Sequence, residues 1–176
     1  MQFHPNTVQQ RCTSALGDIR LAASPLGLVG LWFDDQRHLP APLNGPQAWP
    51  HDNGHSLLCA VAQQVQQYLS GERLHFDVPL DYSGGTPFQQ SVWLALRGIA
   101  PGNTISYGAL ARQLGKPSAV RAVAAAVGRN PLSLVVPCHR VLGQDGSLTG
   151  YAGGLARKTA LLQRENAWPP KICQPG

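Results

Sequence analysis

The chain changes character at Gly84-Gly85, and this change limits its fold more than any other feature. Before the pair, small and β-branched residues are interrupted by turn signals; after it, apolar residues recur at helical spacing. A strand-based part with one helix is therefore predicted first, and a mostly helical part second. Charge divides at the same place. Residues 1–85 carry four arginines, no lysine and seven carboxylates, a net −3; residues 86–176 carry seven arginines, three lysines and two carboxylates, a net +8. That asymmetry predicts that the second half meets a polyanion and the first does not. The 176 residues suffice for one ordinary domain or two small ones. No apolar run approaches the ~18 residues of a membrane span, and the first residues lack the basic flank and apolar stretch of a secretory signal. Cysteines at 12, 59, 138 and 173 lack zinc or disulfide-scaffold spacing, which predicts a reducing, cytoplasmic setting.

From Thr13 to Asp35 the pattern reads strand, turn, strand, turn, strand, with turns at Gly17-Asp18 and Pro25-Leu26-Gly27. Residues 36–54, with four prolines and two glycines, predict an irregular loop. Leu58, Val61, Val65 and Leu69 then mark the apolar face of a helix ending before Gly71, opposite a glutamine-rich face. Leu74 to Gly85 reads as a linker.

Thr86-Pro87-Phe88-Gln89 is a capping box with proline at the first helical position. Phe88, Val92 and Leu96 form the stripe of the helix it starts. Two short helices near 106–114 and 118–127, joined at Gly115-Lys116-Pro117, fit a helix-turn-helix or an ordinary helical hairpin. In the second, Val120, Val123 and Val127 face inward while Ala122, Ala125 and Ala126 surround Arg121. So smooth a surface carries little base-reading code and suits minor-groove contact with one inserted side chain; a solvated surface charge is the other reading of Arg121.

The strongest signal is residues 132–154. A Leu/Val run predicts an extended buried segment up to Pro137, followed at once by Cys138-His139-Arg140. A cysteine beside histidine in the basic half predicts a thiol whose pKa can be lowered. Successive residues of an extended chain point to opposite faces, so a bridging water or a sharp turn must carry the proton. A histidine that takes it needs an orienting carboxylate, and the last 91 residues offer only Asp145, in a glycine-rich turn, and Glu165. Glu165 falls near a helix C-terminus, where the macrodipole disfavours an anion. Partnership with His139 would offset that cost; a surface glutamate is the alternative.

From Arg121 through Asn130 to Pro137-Cys138-His139-Arg140-Val141 and Gly150-Tyr151-Ala152-Gly153-Gly154, the chain resembles the O6-alkylguanine-DNA alkyltransferases. The resemblance is strong over 86–167 and weaker over 1–85, and the layout looks like the bacterial stand-alone members. It implies an RNase-H-like α/β domain over 1–80, a three-stranded antiparallel sheet plus a helix. A linker over 81–85 and a mostly α DNA-binding and catalytic domain over 86–168 follow, the latter with a winged-helix-like helix-turn-helix. Residues 169–176 form a tail. The implied activity is direct-reversal repair: an alkyl group passes irreversibly from O6-alkylguanine, and less well from O4-alkylthymine, to Cys138 after base flipping.

The same resemblance makes His139 the base, acting through a water, Glu165 its orienting carboxylate, and Asn130 the holder of the turn before the cysteine, with Arg140 in support. Arg121 enters the base stack, Tyr107 helps rotate the nucleotide out and donates to guanine, and Ser118, Ala122 and Ala126 lie against DNA. Val141, Tyr151, Ala152 and Gly153 border the base, with the carbonyls of Cys138 and Val141 accepting from its exocyclic amine. Ala152 stands where some relatives have serine. No cofactor and no metal are implied. The implied partner is double-stranded DNA, gripped through the minor groove with little sequence preference by a monomer able to act cooperatively; no membrane is involved. Two other classes fit parts of the pattern: a helix-turn-helix regulator with a structural cysteine, and a cysteine hydrolase using Cys138, His139 and Glu165.

Overall fold

The computed structural model describes residues 1–168; the tail expected over 169–176 lies outside the described residues. The first half is an antiparallel sheet in the order β1 (Val8–Cys12), β2 (Ile19–Ser24), β3 (Gly27–Phe33), crossed by α1 (Ser56–Ser70). The first strand precedes Thr13, where the sequence pattern placed its start. Its Val-Gln-Gln-Arg-Cys run is too polar to announce itself, and register with β2 decides it, Val8 opposite Ala23 and Cys12 opposite Ile19.

Alternation along β2 and β3 gives the sheet two buried faces. Ile19, Leu21, Leu31 and Phe33 join Leu58, Val61, Val65 and Tyr68 of α1 in the main core. Tyr68 rather than Leu69 closes the buried stripe of the helix. Ala22, Val29 and Trp32 face the other way and are covered by Leu43 and Trp49. The proline-rich stretch 36–54 is thus a packed lid on the sheet, with Trp49 stacked 6.3 Å from Trp32. Gly30 leaves room for this, since a Cβ there would run into the Trp32 indole.

The second half follows as α2 (Pro87–Arg97), β4 (Ile105–Ser106), α3 (Tyr107–Gln113), α4 (Val120–Gly128), β5 (Val141–Leu142) and α5 (Leu155–Arg164). The capping box at Thr86 forms in full. A short 3₁₀ turn over Pro117–Ala119 completes the helix-turn-helix between α3 and α4. Trp93 of α2 is buried and donates its Nε1–H to the Ala126 carbonyl at 2.9 Å.

That contact corrects one expectation. Ala126 is 3% exposed and shares the inward face of α4 with Val123 and Val127, at i, i+3 and i+4, so it cannot lie against DNA. Ser118, Arg121 and Ala122 are exposed, as is Ala125. Ala126→Leu is expected to overpack the α2–α4 contact and cost about 1–3 kcal/mol in thermal unfolding. Ala122→Leu should stay within about 0.5 kcal/mol.

The two halves share one core, running from Ile19 through Trp93 to Leu161. The free edge of β3 binds chain from both sides of the linker. Leu28 exchanges backbone hydrogen bonds with Pro79 and Asp81, and Leu31 with Pro131 and Ser133. The 81–85 stretch is therefore anchored at its start: the buried Asp81 carboxylate accepts from the Ser24 hydroxyl at 2.6 Å and the Ser83 N–H at 2.8 Å.

Candidate active site

Docking of 131–133 on β3 fixes the chain just before the cysteine. The expected extended run is instead a tight turn, in which Val136 donates to the Leu132 carbonyl and Leu134 takes a positive φ of 69°. The cause is Asn130 at its entrance. Its Oδ1 accepts from Leu132 N–H at 3.0 Å, and its Nδ2 donates to the Val136 carbonyl at 2.9 Å and to Cys138 Sγ at 3.1 Å. Cys138–Arg140 then forms one 3₁₀ turn. The turn brings no hydrogen bond between the Cys138 sulfur and the His139 ring among the described residues.

His139 is fully buried, and its Nε2 lies 3.1 Å from Glu165 Oε1. Its Nδ1 is buried without a hydrogen-bond partner among the described residues. With Glu165 ionised, Nε2 carries the hydrogen and Nδ1 is the nitrogen free to take a proton. Glu165 is the C-cap of α5, the position the helix dipole disfavours. Arg140 counters this with a bidentate grip, Nε to Oε2 and Nη2 to Oε1, both 2.7 Å, and it also donates to the Ile99 carbonyl. Burial alone would raise the Glu165 carboxyl; donors from Arg140, His139 and Tyr68 hold it far below the usual range. Asp145, the other candidate, caps an exposed turn at Ser147.

Electrostatics overturn one expectation. Burial pushes the Cys138 thiol up, against weaker pulls downward from Asn130 and the charge of Lys158. Burial likewise pushes His139 down, outweighing Glu165. Both directions favour a neutral thiol and a neutral imidazole at rest, Cys138 being only 4% exposed and His139 fully buried.

The cleft of about 320 Å³ beside this turn is framed by Tyr107, by Ala124 and Gly128 of α4, and by Thr149 to Ala152. Tyr107 opens α3 directly after β4, whose pairing with β5 brings it next to the cysteine segment. Its hydroxyl donates to the Gly150 carbonyl at 3.4 Å, and burial pushes it up, so it stays a donor. Tyr151 is buried edge-on to His139, 6.5 Å between ring centres. At Gly153 a Cβ would collide with the rings of Tyr151 and Phe33, so the loop closes this tightly only with glycine. The Ala152 carbonyl is occupied by Arg37 N–H, and the Val141 carbonyl already accepts from Lys158 Nζ at 2.5 Å, leaving one lone pair.

Two residues tied to this site escaped the sequence reading. Lys158 is fully buried, and its Nζ also donates to the Thr149 and Gly150 carbonyls, tying β5 to the wall of the cleft. Burial brings its ammonium down to about 8, which keeps it charged at neutral pH. A lysine three residues before the buried Leu161 was the available signal. The other is Tyr68, whose hydroxyl donates to Glu165 Oε1 at 2.5 Å from the other half of the chain. It lies at i+3 from Val65 on the buried face of α1. Among the described residues, no three His, Cys, Asp or Glu side chains cluster as a metal site, and no helix is long and apolar enough to cross a membrane.

Two family models match the chain: 6-O-methylguanine DNA methyltransferase, ribonuclease-like domain, over residues 10–82, and the DNA binding domain of the same family over 87–167. A methylated-DNA–protein-cysteine methyltransferase of Mycobacterium tuberculosis is 43% identical over 157 residues, 89% of this chain and 91% of the relative. The Salmonella typhimurium protein of the same name is 52% identical over 105 residues, 60% of this chain and 61% of the relative. Among solved structures, M. tuberculosis OGT in complex with DNA superposes with a TM-score of 0.81 at 41% identity, covering 93% of this chain and 96% of that one. Sequence, fold and site geometry agree: the chain belongs to the 6-O-methylguanine DNA methyltransferase family.

Proposed function

We propose that this chain repairs O6-alkylguanine in DNA by taking the alkyl group permanently onto Cys138, and O4-alkylthymine less well. The observation that carries this is the buried chain of contacts from Asn130 to Cys138 and from His139 to Glu165, with Tyr151, which packs edge-on against His139, also lining a cleft bordered by Tyr107 and α4. A base inside a duplex hides its O6-alkyl carbon, so the nucleotide must swing out, at a cost of a few kcal/mol. The exposed face of α4, smooth apart from Arg121, suits close approach in the minor groove, with the guanidinium filling the gap and Ser118 and Ala122 against the backbone. Residues 86–168 form the DNA-binding and catalytic part, with Tyr107, Val141, Tyr151, Ala152 and Gly153 around the extruded base.

In the transfer, the thiol proton passes through a water to His139 Nδ1. The S–C bond forms as the O6–C bond breaks, and guanine leaves with the electron pair. Tyr107 donates to the developing negative charge, and the proton on His139 returns to the leaving base. Glu165 steadies the transient imidazolium. The product is a thioether with no carbonyl for water to attack, so each chain acts once and no cofactor takes part. A sequence-reading regulator with a structural cysteine is not favoured: α4 offers bases one long side chain, and Cys138, next in the chain to His139, accepts a hydrogen bond from the Asn130 amide. We place the protein in the reducing cytoplasm, acting as a monomer that can line up cooperatively on DNA.

Intact-protein mass spectrometry with O6-methylguanine duplex in excess is expected to reach one methyl per chain and stop. Repeated turnover, or no adduct, defeats the reading. Arg121→Ala should slow repair of the duplex by at least about tenfold while leaving reaction with free O6-benzylguanine near wild type, because only the duplex requires extrusion. Equal slowing of both counts against a role in flipping.

A further inference from the structure

Glu165 is held from both halves of the chain, and its two oxygens are loaded unequally. Among the described residues, Oε2 accepts one hydrogen bond, from Arg140 Nε at 2.7 Å. Oε1 meets three donors: Tyr68 Oη at 2.5 Å, Arg140 Nη2 at 2.7 Å and His139 Nε2 at 3.1 Å. A carboxylate oxygen offers two lone pairs. The two short bonds take them, and the longest, least satisfied contact is the one to the histidine.

Tyr68 is fixed in this competition. It is 1% exposed, its ring packs 5.2 Å from Phe76, and its carbonyl accepts from Arg164 Nε, one residue before Glu165. Burial and the neighbouring carboxylate push its hydroxyl well up, so it remains a donor at every working pH.

We propose that Tyr68 is a positioning residue of the alkyl-transfer site, whose hydroxyl competes with His139 for Glu165 Oε1 and thereby keeps His139 a neutral proton acceptor. The role gives residues 1–85 a direct part in the chemistry, and it rests on the reading of His139 as the base. The groups facing His139 are Glu165 and Lys158 from α5, Cys138 and Arg140 from its own turn, Tyr151 from the following loop, and Tyr68 from α1 through the shared carboxylate. Burial is the larger cause of the lowered proton affinity; of these groups Glu165 alone opposes it, so the strength of that one contact is the part a neighbour can tune. Removing the Tyr68 hydroxyl frees a lone pair of Oε1, lets His139 Nε2 bind more tightly, and makes Nδ1 more basic.

The test is Tyr68→Phe, which keeps the ring and its packing, with thermal unfolding as a check on the fold. Two quantities are followed against pH in wild type and variant: the single-turnover rate with free O6-benzylguanine, and the ¹⁵N resonances of His139. The acid limb of the rate, where His139 becomes protonated, and the histidine titration are both expected to move to higher pH, by up to about one unit, a tenfold gain in proton affinity. An unchanged titration, with the rate lowered equally at every pH or only the stability reduced, overturns the proposal and leaves Tyr68 a packing residue. Should the wild type accept no alkyl group, the repair reading fails by itself, and the histidine resonances alone then decide whether Tyr68 tunes His139.

Discussion

Exchanging Cys138 for serine is expected to lower alkyl uptake by at least about 10³-fold, the scale on which removing a nucleophile acts elsewhere. The replacement is nearly isosteric, and the Asn130 amide that donates to sulfur can donate to the hydroxyl instead. Folding should therefore change by about 1 kcal/mol or less. What disappears is a polarisable sulfur whose proton a neutral imidazole can remove; a serine hydroxyl holds its proton far more tightly. Burial raises the thiol and lowers the imidazole, and both directions favour an unionised pair at rest. Mass spectrometry of Cys138→Ser after incubation with O6-methylguanine duplex measures this directly. A methylated serine variant would move the acceptor to another residue.

The largest expected loss of stability comes from Glu165→Ala. The carboxylate takes four hydrogen bonds from Arg140, His139 and Tyr68 in the closed interior. Without it, the Arg140 guanidinium keeps, among the described residues, only the Ile99 carbonyl, and a buried cation loses its counter-charge. Breaking such a pair costs about 3–5 kcal/mol, against the 1 kcal/mol or so of an exposed one. Melting should fall by roughly 6 °C or more. The sign with pH follows from the direction of the shift. Glu165 is depressed in the folded chain, so its contribution is fully present above the unfolded carboxylate pKa and is lost as pH falls toward the folded value. The gap between wild type and Glu165→Ala should therefore narrow on acidification. A urea midpoint shift worth less than about 1 kcal/mol, or a gap independent of pH, would mean the carboxylate is not the keystone of this cluster.

Local signals in the sequence were read well where local physics decides the outcome. The capping box at Thr86, the helix-turn-helix and the turn at Pro25-Leu26-Gly27 all form from neighbouring residues. They failed where a partner distant in the chain decides. Val8–Cys12 is a strand because β2 lies beside it, and residues 132–136 turn because Asn130 and the edge of β3 hold them. Ala126 looked like surface because alanine is neutral to burial, although it shares the inward face of α4 with Val123 and Val127, against which Trp93 packs.

The sequence alone determined the chemistry on offer: one cysteine followed by a histidine, an asparagine eight residues earlier, a scarce glutamate, and an arginine isolated on a smooth helix. Those are matters of residue type and short spacing, which a linear chain displays in full. Tertiary structure alone decided the protonation states and the membership of the site. Burial, not adjacency, makes the thiol and imidazole neutral, and packing of α1 against α5 brings Tyr68 to a carboxylate 97 residues away. Desolvation and contacts between remote elements exist only once the chain has closed on itself.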